Sequence, residues 1–184
     1  VTSTLMGLGA YPASSPRFLG MLGMHGTYEA NMAMHHSDVI IAIGARFDDR
    51  VTNTPNRFCP DAKIIHIDVD PTSISKTIVA DLPITGPVDV VLDEMLSQIE
   101  EVQRSAQGGP DRAALANWWN EIERWRDAHG IYRKPCYDNS GPLIMPQDVI
   151  KCLHEVTAGN AFVTSDVTET QMMLHTQRVT NRVD

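Results

Sequence analysis

The chain predicts an α/β fold built on a Rossmann-like parallel sheet. Two apolar runs, Val39 to Ile43 and Ile64 to Val69, are rich in β-branched residues, too short for helices and flanked by turn signals, as buried parallel strands are. Each run empties into a polar loop, the first through Gly44 into Ala45-Arg46-Phe47-Asp48-Asp49-Arg50-Val51-Thr52 and the second into Asp68-Val69-Asp70-Pro71-Thr72. A long amphipathic stretch comes next. Such sheets bind ligands at the carboxyl edge of their strands, where these loops emerge.

Taken in order, Thr4-Leu5-Met6-Gly7-Leu8-Gly9 fits a strand end passing into a loop. Its Gly-x-Gly pattern is a weak signal, more often an ordinary turn than a phosphate cradle. After Pro12 and Pro16 comes Gly23-Met24-His25-Gly26-Thr27, in which Thr27 caps a short helix running through Tyr28, Met32 and His36. The helix N-terminus then lies at the His25-Gly26 step. The strand Val39 to Ile43 leads through a polar connection containing Pro55 and Pro60 to the second strand. The acids at that strand's end have two readings, a carboxylate placed for a ribose hydroxyl or a solvated end with Asp70 or Thr72 capping the next segment.

Val88 to Val102 is an amphipathic helix with Val91, Leu92, Met95, Leu96 and Ile99 on one face. Ser105 to Arg112, with Gly108-Gly109-Pro110 and nothing apolar larger than Ala106, marks a linker. Leu115, Trp118, Ile122 and Trp125 then recur at helical spacing, a stripe that reads as core or interface. Tyr132 to Pro142 is irregular. Pro146 suits the first turn of a further helix whose apolar face is Val149, Ile150, Leu153 and Val156, ended by Gly159-Asn160. Ala161 to Asp166 reads as a strand with an acid at its end, opening a second α/β unit.

Charge narrows the partners. With 15 Lys+Arg against 23 Asp+Glu, a formal charge of -8, and no basic run, the chain has no footprint for nucleic acid. No apolar run approaches the ~20 residues that span a bilayer, and the N-terminus carries neither a basic n-region nor an initiating methionine, which predicts a chain that begins in mid-protein. Three scattered cysteines, Cys59, Cys136 and Cys152, suit a reducing cytoplasm and form no metal motif. His35-His36 is no ligand pair either, because adjacent helical positions point about 100° apart.

In several segments, the order and spacing of residues resemble the catalytic subunits of the acetolactate synthase (acetohydroxyacid synthase) family. Thr4 to Gly9, Leu22 to Thr27, Gly44 to Arg50, His66 to Asp70 and Thr164-Ser165-Asp166-Val167 fall in that family's order, so that the resemblance spans Thr4 to Asp166. It implies a thiamine diphosphate enzyme of three similar α/β domains whose central one binds FAD. Residues 1–103 would be the later part of that central domain, 104–140 a linker with an amphipathic helix, and 141–184 the start of the thiamine-pyrophosphate domain.

The resemblance also assigns candidate cofactor residues. Thr4, Leu5 and Met6 match positions lining the flavin nucleotide, and Gly23, Met24, His25, Gly26 and Thr27 lie by the isoalloxazine end, with Met24 an adaptable apolar wall. Gly44 and Ala45 let the backbone approach the cofactor, and Arg46 neutralises the pyrophosphate. Asp49, Arg50 and Val51 continue that loop, while Asp68, Val69, Asp70 and Gly86 fall on the ribose and adenine side. No catalytic residue and no metal ligand is assigned within the chain. The implied reaction, decarboxylation of pyruvate and its condensation with a second pyruvate or with 2-oxobutyrate, serves branched-chain amino-acid synthesis. It needs thiamine diphosphate and Mg2+, and FAD takes no net redox part. The implied assembly is a cytoplasmic homodimer or homotetramer of catalytic subunits with a small regulatory subunit.

Two departures stand out. Gly86 is followed by Pro87 where the family usually has Asp, which removes a carboxylate and an N–H donor near the adenosine. After Val167 the family reads Gly-Gln-His-Gln, whereas this chain has Thr168-Glu169-Thr170-Gln171, placing a carboxylate at Glu169 toward a diphosphate. The family's Gly-Asp-Gly metal region does not follow, and the domain supplying the glutamate that activates the thiazolium does not precede, so a truncated or altered reading frame near Val167 is expected. Two other readings stay open: a related thiamine enzyme such as glyoxylate carboligase or pyruvate oxidase, and a non-catalytic nucleotide-binding module.

Overall fold

A computed structural model describes residues 1–105, 109–130, 146–158 and 160–161. It divides into two compact units, one of residues 1–32 and 123–184 and the other of residues 33–122. The divisions fall inside two helices, α1 (Tyr28–His35) and α4 (Arg112–His129).

The second unit carries the sheet. Strands β1 (Val39–Ile43), β2 (Lys63–Asp68) and β3 (Leu82–Thr85) run parallel in the order β1-β2-β3. The two strands expected from apolar runs are present, the second shifted by one residue. The apolar runs do not predict β3. It forms as an outer strand of this three-stranded sheet, where Pro83 opposite His66 is tolerated because an edge position does not need every N–H.

Strand alternation sorts the side chains onto two faces. Ile64, His66 and Asp68 of β2 share one face with Ile40 and Ala42 of β1, their partners in register, and with Pro83. On this face Ala42, Phe47, Ile64 and Ile78 form a buried cluster, packed by Ile40, Ala45, Phe58 and Ala80. The opposite face is continuous aliphatic surface: Val39, Ile41, Ile43, Ile65, Ile67, Leu82 and Ile84. Ile67, at its centre, is buried, while Val39, Ile41 and Ile43 remain about half exposed.

The connection from β1 to β2 contains α2 (Asp49–Thr52) and a 3-10 turn at Pro55–Arg57. α3 (Val88–Arg104) follows β3 as expected, but none of its residues is fully buried, and Leu96, Ile99 and Val102 stay exposed.

In the first unit, Ser3 and Met21 form a lone parallel bridge. The anticipated strand end at Thr4 is thus a single bridge followed at once by a 3-10 turn over Leu5–Gly7, whose N–H at Gly7 bonds the Thr4 hydroxyl oxygen at 3.2 Å. The C-terminal half of α4 is tied to this unit by Arg126. Its guanidinium, largely buried, donates to the carbonyls of Pro16 (3.0 Å) and Phe18 (2.9 Å) and pairs with Glu123 (2.7 Å). Of the Leu115, Trp118, Ile122 and Trp125 stripe, Ile122 is buried and the tryptophans are partly buried, whereas Leu115 stays about half exposed. α5 (Pro146–Thr157) begins at the expected proline. The expected irregular segment Tyr132 to Pro142, the strand reaching Asp166, and Glu169 with its neighbours lie outside the described residues. No helix among the described residues is long and apolar enough to cross a membrane.

Candidate functional site

Because the three strands are parallel, their carboxyl ends deliver Gly44, Val69 and Gly86 to one edge of the sheet in the second unit. The N–H of Gly44 closes onto the Ile67 carbonyl at 2.8 Å, and that of Gly86 onto the Asp68 carbonyl at 3.1 Å. The structure therefore brings together, within this unit, the candidates Gly44, Ala45, Arg46, Asp49, Arg50, Val51, Asp68, Val69, Asp70 and Gly86. Gly44 has φ +60° and no heavy atom within 4 Å of where a Cβ would stand, so its main chain is both free to take this turn and open to an incoming group.

Beyond Gly44 the loop is organised by a residue that the sequence alone does not single out. Phe47 has φ 53°, a conformation costly for an aromatic residue, yet its side chain is only 7% exposed. Its ring lies edge-on to Phe58 (5.8 Å between centroids, 79°) and to His66 (5.1 Å, 89°). Each such aromatic contact is worth about 0.5–1.5 kcal/mol beyond its burial, enough to offset a left-handed backbone that costs about 1–2 kcal/mol. With Phe47 turned inward, its neighbours face out. Arg46 is 80% exposed and pairs with the Asp48 carboxylate at 2.5 Å.

Asp48 caps α2: its carboxylate accepts the Arg50 N–H at 3.2 Å. A hydrogen bond shared with the Asp49 carboxyl, the Arg50 N–H and the Arg46 guanidinium hold the Asp48 carboxyl down at about 2, below its ordinary 3.8. Since the folded value is the lower one, what Asp48 contributes to the loop is complete above about pH 3.8 and is lost as the pH falls through about 2. The Arg50 amide shift, followed by NMR, is expected to titrate with a midpoint near 2; a midpoint near 4 would mean that Asp48 neither caps α2 nor holds Arg46.

Both sequence readings of the second acidic loop bear on its geometry. Asp68 accepts the Asp70 N–H at 2.9 Å, and Asp70 accepts the Thr72 N–H at 2.9 Å and its hydroxyl at 2.8 Å. These capping bonds, the Thr72 N–H foremost, keep the Asp70 carboxyl below the usual range. Asp68 spends one oxygen on the turn; its other oxygen accepts no hydrogen bond among the described residues.

The first unit holds the other candidates. Thr27 is buried, its hydroxyl donating to the Leu19 carbonyl (2.6 Å) and accepting the Ala30 N–H (3.2 Å), which makes it the helix cap expected of it. Asn31 clamps Gly23 from both sides, accepting its N–H at 2.8 Å and donating to its carbonyl at 2.9 Å. Gly23, Gly26 and Thr27 therefore shape the loop, whereas Met24 and His25 form its exposed tip, Met24 at 60%. Leu5 is also exposed, and Met6 is 92% exposed. Apolar side chains displayed in this way, beside a Thr4-capped turn, suit contact with a flat apolar ring.

Tested against FAD, each unit taken by itself offers groups that suit part of the cofactor. The second unit offers open backbone at Gly44, a solvent-facing guanidinium and a carboxylate oxygen to spare at Asp68; the first offers exposed Leu5, Met6 and Met24. Among the described residues no three His, Cys, Asp or Glu side chains lie close enough together to hold a metal ion. Cys59 is no nucleophile, since burial raises its thiol to about 11.

Residues 1–95 match the family profile of the thiamine pyrophosphate enzyme central domain. Over 94% of its length the chain is 51% identical to the acetolactate synthase isozyme 3 large subunit of Escherichia coli K12, covering 29% of that protein. It is 49% identical over 94% of its length to the acetolactate synthase large subunit of Haemophilus influenzae, covering 28%, and 38% identical to the acetolactate synthase of Mycobacterium leprae, again over 94% of this chain and covering 26% of that one. The chain thus spans less than a third of the length of the curated relatives it matches.

Proposed function

This chain belongs to the thiamine pyrophosphate enzymes through their central domain, and on that premise we propose that it is part of an acetolactate synthase catalytic subunit in which its own residues hold FAD. The observation that supports this reading most is identity to acetolactate synthase large subunits at about half of all positions across 94% of the chain. The reaction of the parent enzyme is then the condensation of two pyruvates, or of pyruvate with 2-oxobutyrate, in the synthesis of valine, leucine and isoleucine. Thiamine diphosphate, with Mg2+, supplies the electron sink for decarboxylation when bound there.

Within the chain the roles are supportive. Arg46 pairs with the FAD diphosphate, Gly44 and Ala45 let the main chain approach it, and Asp49, Arg50 and Val51 continue the contact. Asp68 accepts a ribose hydroxyl, with Val69, Asp70 and Gly86 on the adenosine side. Thr4, Leu5, Met6, Met24 and His25 contact the flavin end, their loop shaped by Gly23, Gly26 and Thr27. We place the end of the central domain at residue 103, a linker over 104–140 and the start of the thiamine-pyrophosphate domain at 141. The parent is cytoplasmic, a homodimer or homotetramer with a small regulatory subunit.

None of these roles makes or breaks a bond of the substrate. The purified 184-residue chain, given pyruvate, thiamine diphosphate, Mg2+ and FAD, is therefore expected to form no acetolactate above background and to bind FAD weakly or not at all in a fluorescence titration. Turnover by this chain alone would overturn the assignment of purely supportive roles, and strong binding of thiamine diphosphate with none of FAD would overturn the flavin reading.

A further inference from the structure

The imidazole of His66 is fully buried, at 0% exposure, and neither ring nitrogen has a hydrogen-bond partner among the described residues. It stands on β2 between two short cross-strand neighbours, Ala42 on β1 and Pro83 on β3, which leave a slot above the strand. The Phe47 ring fills that slot at right angles to the imidazole, 5.1 Å between centroids. Phe47 in turn has the left-handed backbone that turns Arg46 and Asp48 outward. A plain buried core position asks only for volume, but an edge-to-face contact asks for a ring.

We propose that His66 is a positioning residue for the Arg46 to Asp49 loop: its ring locks Phe47 and so fixes the direction in which Arg46 points. The consequence for FAD rests on the function proposed above; the consequence for the loop does not. Two of the loop's backbone bonds report on it, the N–H groups of Val51 and Thr52 donating to the Asp48 carbonyl at 2.9 Å. When the ring is removed these amides open locally, while the β1 and β2 ladder, which is closed by other bonds, is spared.

The test is amide hydrogen exchange on the whole chain without cofactor, comparing His66→Phe, His66→Leu and His66→Ala. His66→Phe keeps a ring and discards the unpartnered nitrogens, and it is expected to protect the Val51 and Thr52 amides as well as the unmodified chain does. His66→Leu fills the slot without a ring, and it should speed exchange at those two amides at least tenfold more than in β1 and β2. His66→Ala should do the same. If alanine prevents folding, the contrast between phenylalanine and leucine decides alone. Equal loosening by phenylalanine and leucine, or loosening spread evenly over loop and strands, overturns the proposal. FAD titration of the same variants is the second readout: where the unmodified chain binds, leucine weakens binding about tenfold and phenylalanine leaves it unchanged. Should the unmodified chain bind no FAD, the exchange pattern still decides the role of His66.

Discussion

Alanine at Gly26 is expected to cost about 3 kcal/mol or more, the largest loss from any single methyl added to the described residues of the loop before α1. A Cβ there would stand 2.6 Å from the carbonyl carbon of Leu22 and 2.7 Å from its Cα, and it would also press on the Met21 carbonyl oxygen. All of these are main-chain atoms. They have little room to give, because the Thr27 N–H holds the Met21 carbonyl at 2.9 Å, the Gly26 N–H closes onto the Gly23 carbonyl at 3.0 Å, and Met21 is bridged to Ser3. Relief would have to open the turn that delivers Met24 and His25. Gly9 is the matched control: its φ of +95° disfavours alanine, but a Cβ meets nothing within 4 Å, so Gly9→Ala should cost only about 1 kcal/mol. Thermal melts of the two variants decide, with Gly26→Ala expected to lower the midpoint by about 6–12 °C and Gly9→Ala by about 2–4 °C. Equal shifts would show that the loop yields, and that the closeness of the two main-chain segments does not hold it.

The contrast between these glycines also marks what a sequence can and cannot disclose. β1, β2, α1, α3, α4 and the start of α5 are legible because period and punctuation are local: β-branched runs between turns, a threonine before a helix, a proline at a first turn. β3 is not, since Leu82-Pro83-Ile84-Thr85 contains a residue that argues against a strand until its edge position is known. The site divides in the same way. Gly44, Arg46 and Asp68 are proposed from type and place, whereas the left-handed Phe47 depends on rings contributed by Phe58 and His66, eleven and nineteen residues away along the chain. A signal for His66 is present, a lone polar residue inside Ile64-Ile65-His66-Ile67, but without the packing it says only that something unusual is buried. The spacing of Gly23 and Gly26 cannot reveal that Gly26 is required by a close main-chain approach, because the segment it meets, Met21-Leu22, comes near only once the turn is made.

Replacing Arg46 by glutamine is expected to weaken FAD binding about fivefold relative to the unmodified chain. The guanidinium is 80% exposed and already partnered by Asp48, so docking a diphosphate exchanges one anionic partner for another rather than stripping water from a buried charge. What is lost with glutamine is then the difference between a charge-assisted pair and a neutral hydrogen bond, about 1 kcal/mol, which is a factor of about five in affinity. Lysine keeps the charge but not the planar fork, and Arg46→Lys should fall between the two. Because Arg46 lies at the surface, ionic strength supplies an independent check: raising salt should weaken FAD binding to the unmodified chain and have much less effect on Arg46→Gln, whose local positive charge is gone. Neither substitution touches the cap of α2, since Asp48 still accepts the Arg50 N–H, so the loop persists and the comparison reads the charge alone. An Arg46→Gln chain with unchanged affinity and an unchanged salt response would remove Arg46 from the diphosphate contact. The proposed diphosphate contact would then rest on the open backbone at Gly44 and Ala45 and on the Asp49 to Val51 segment.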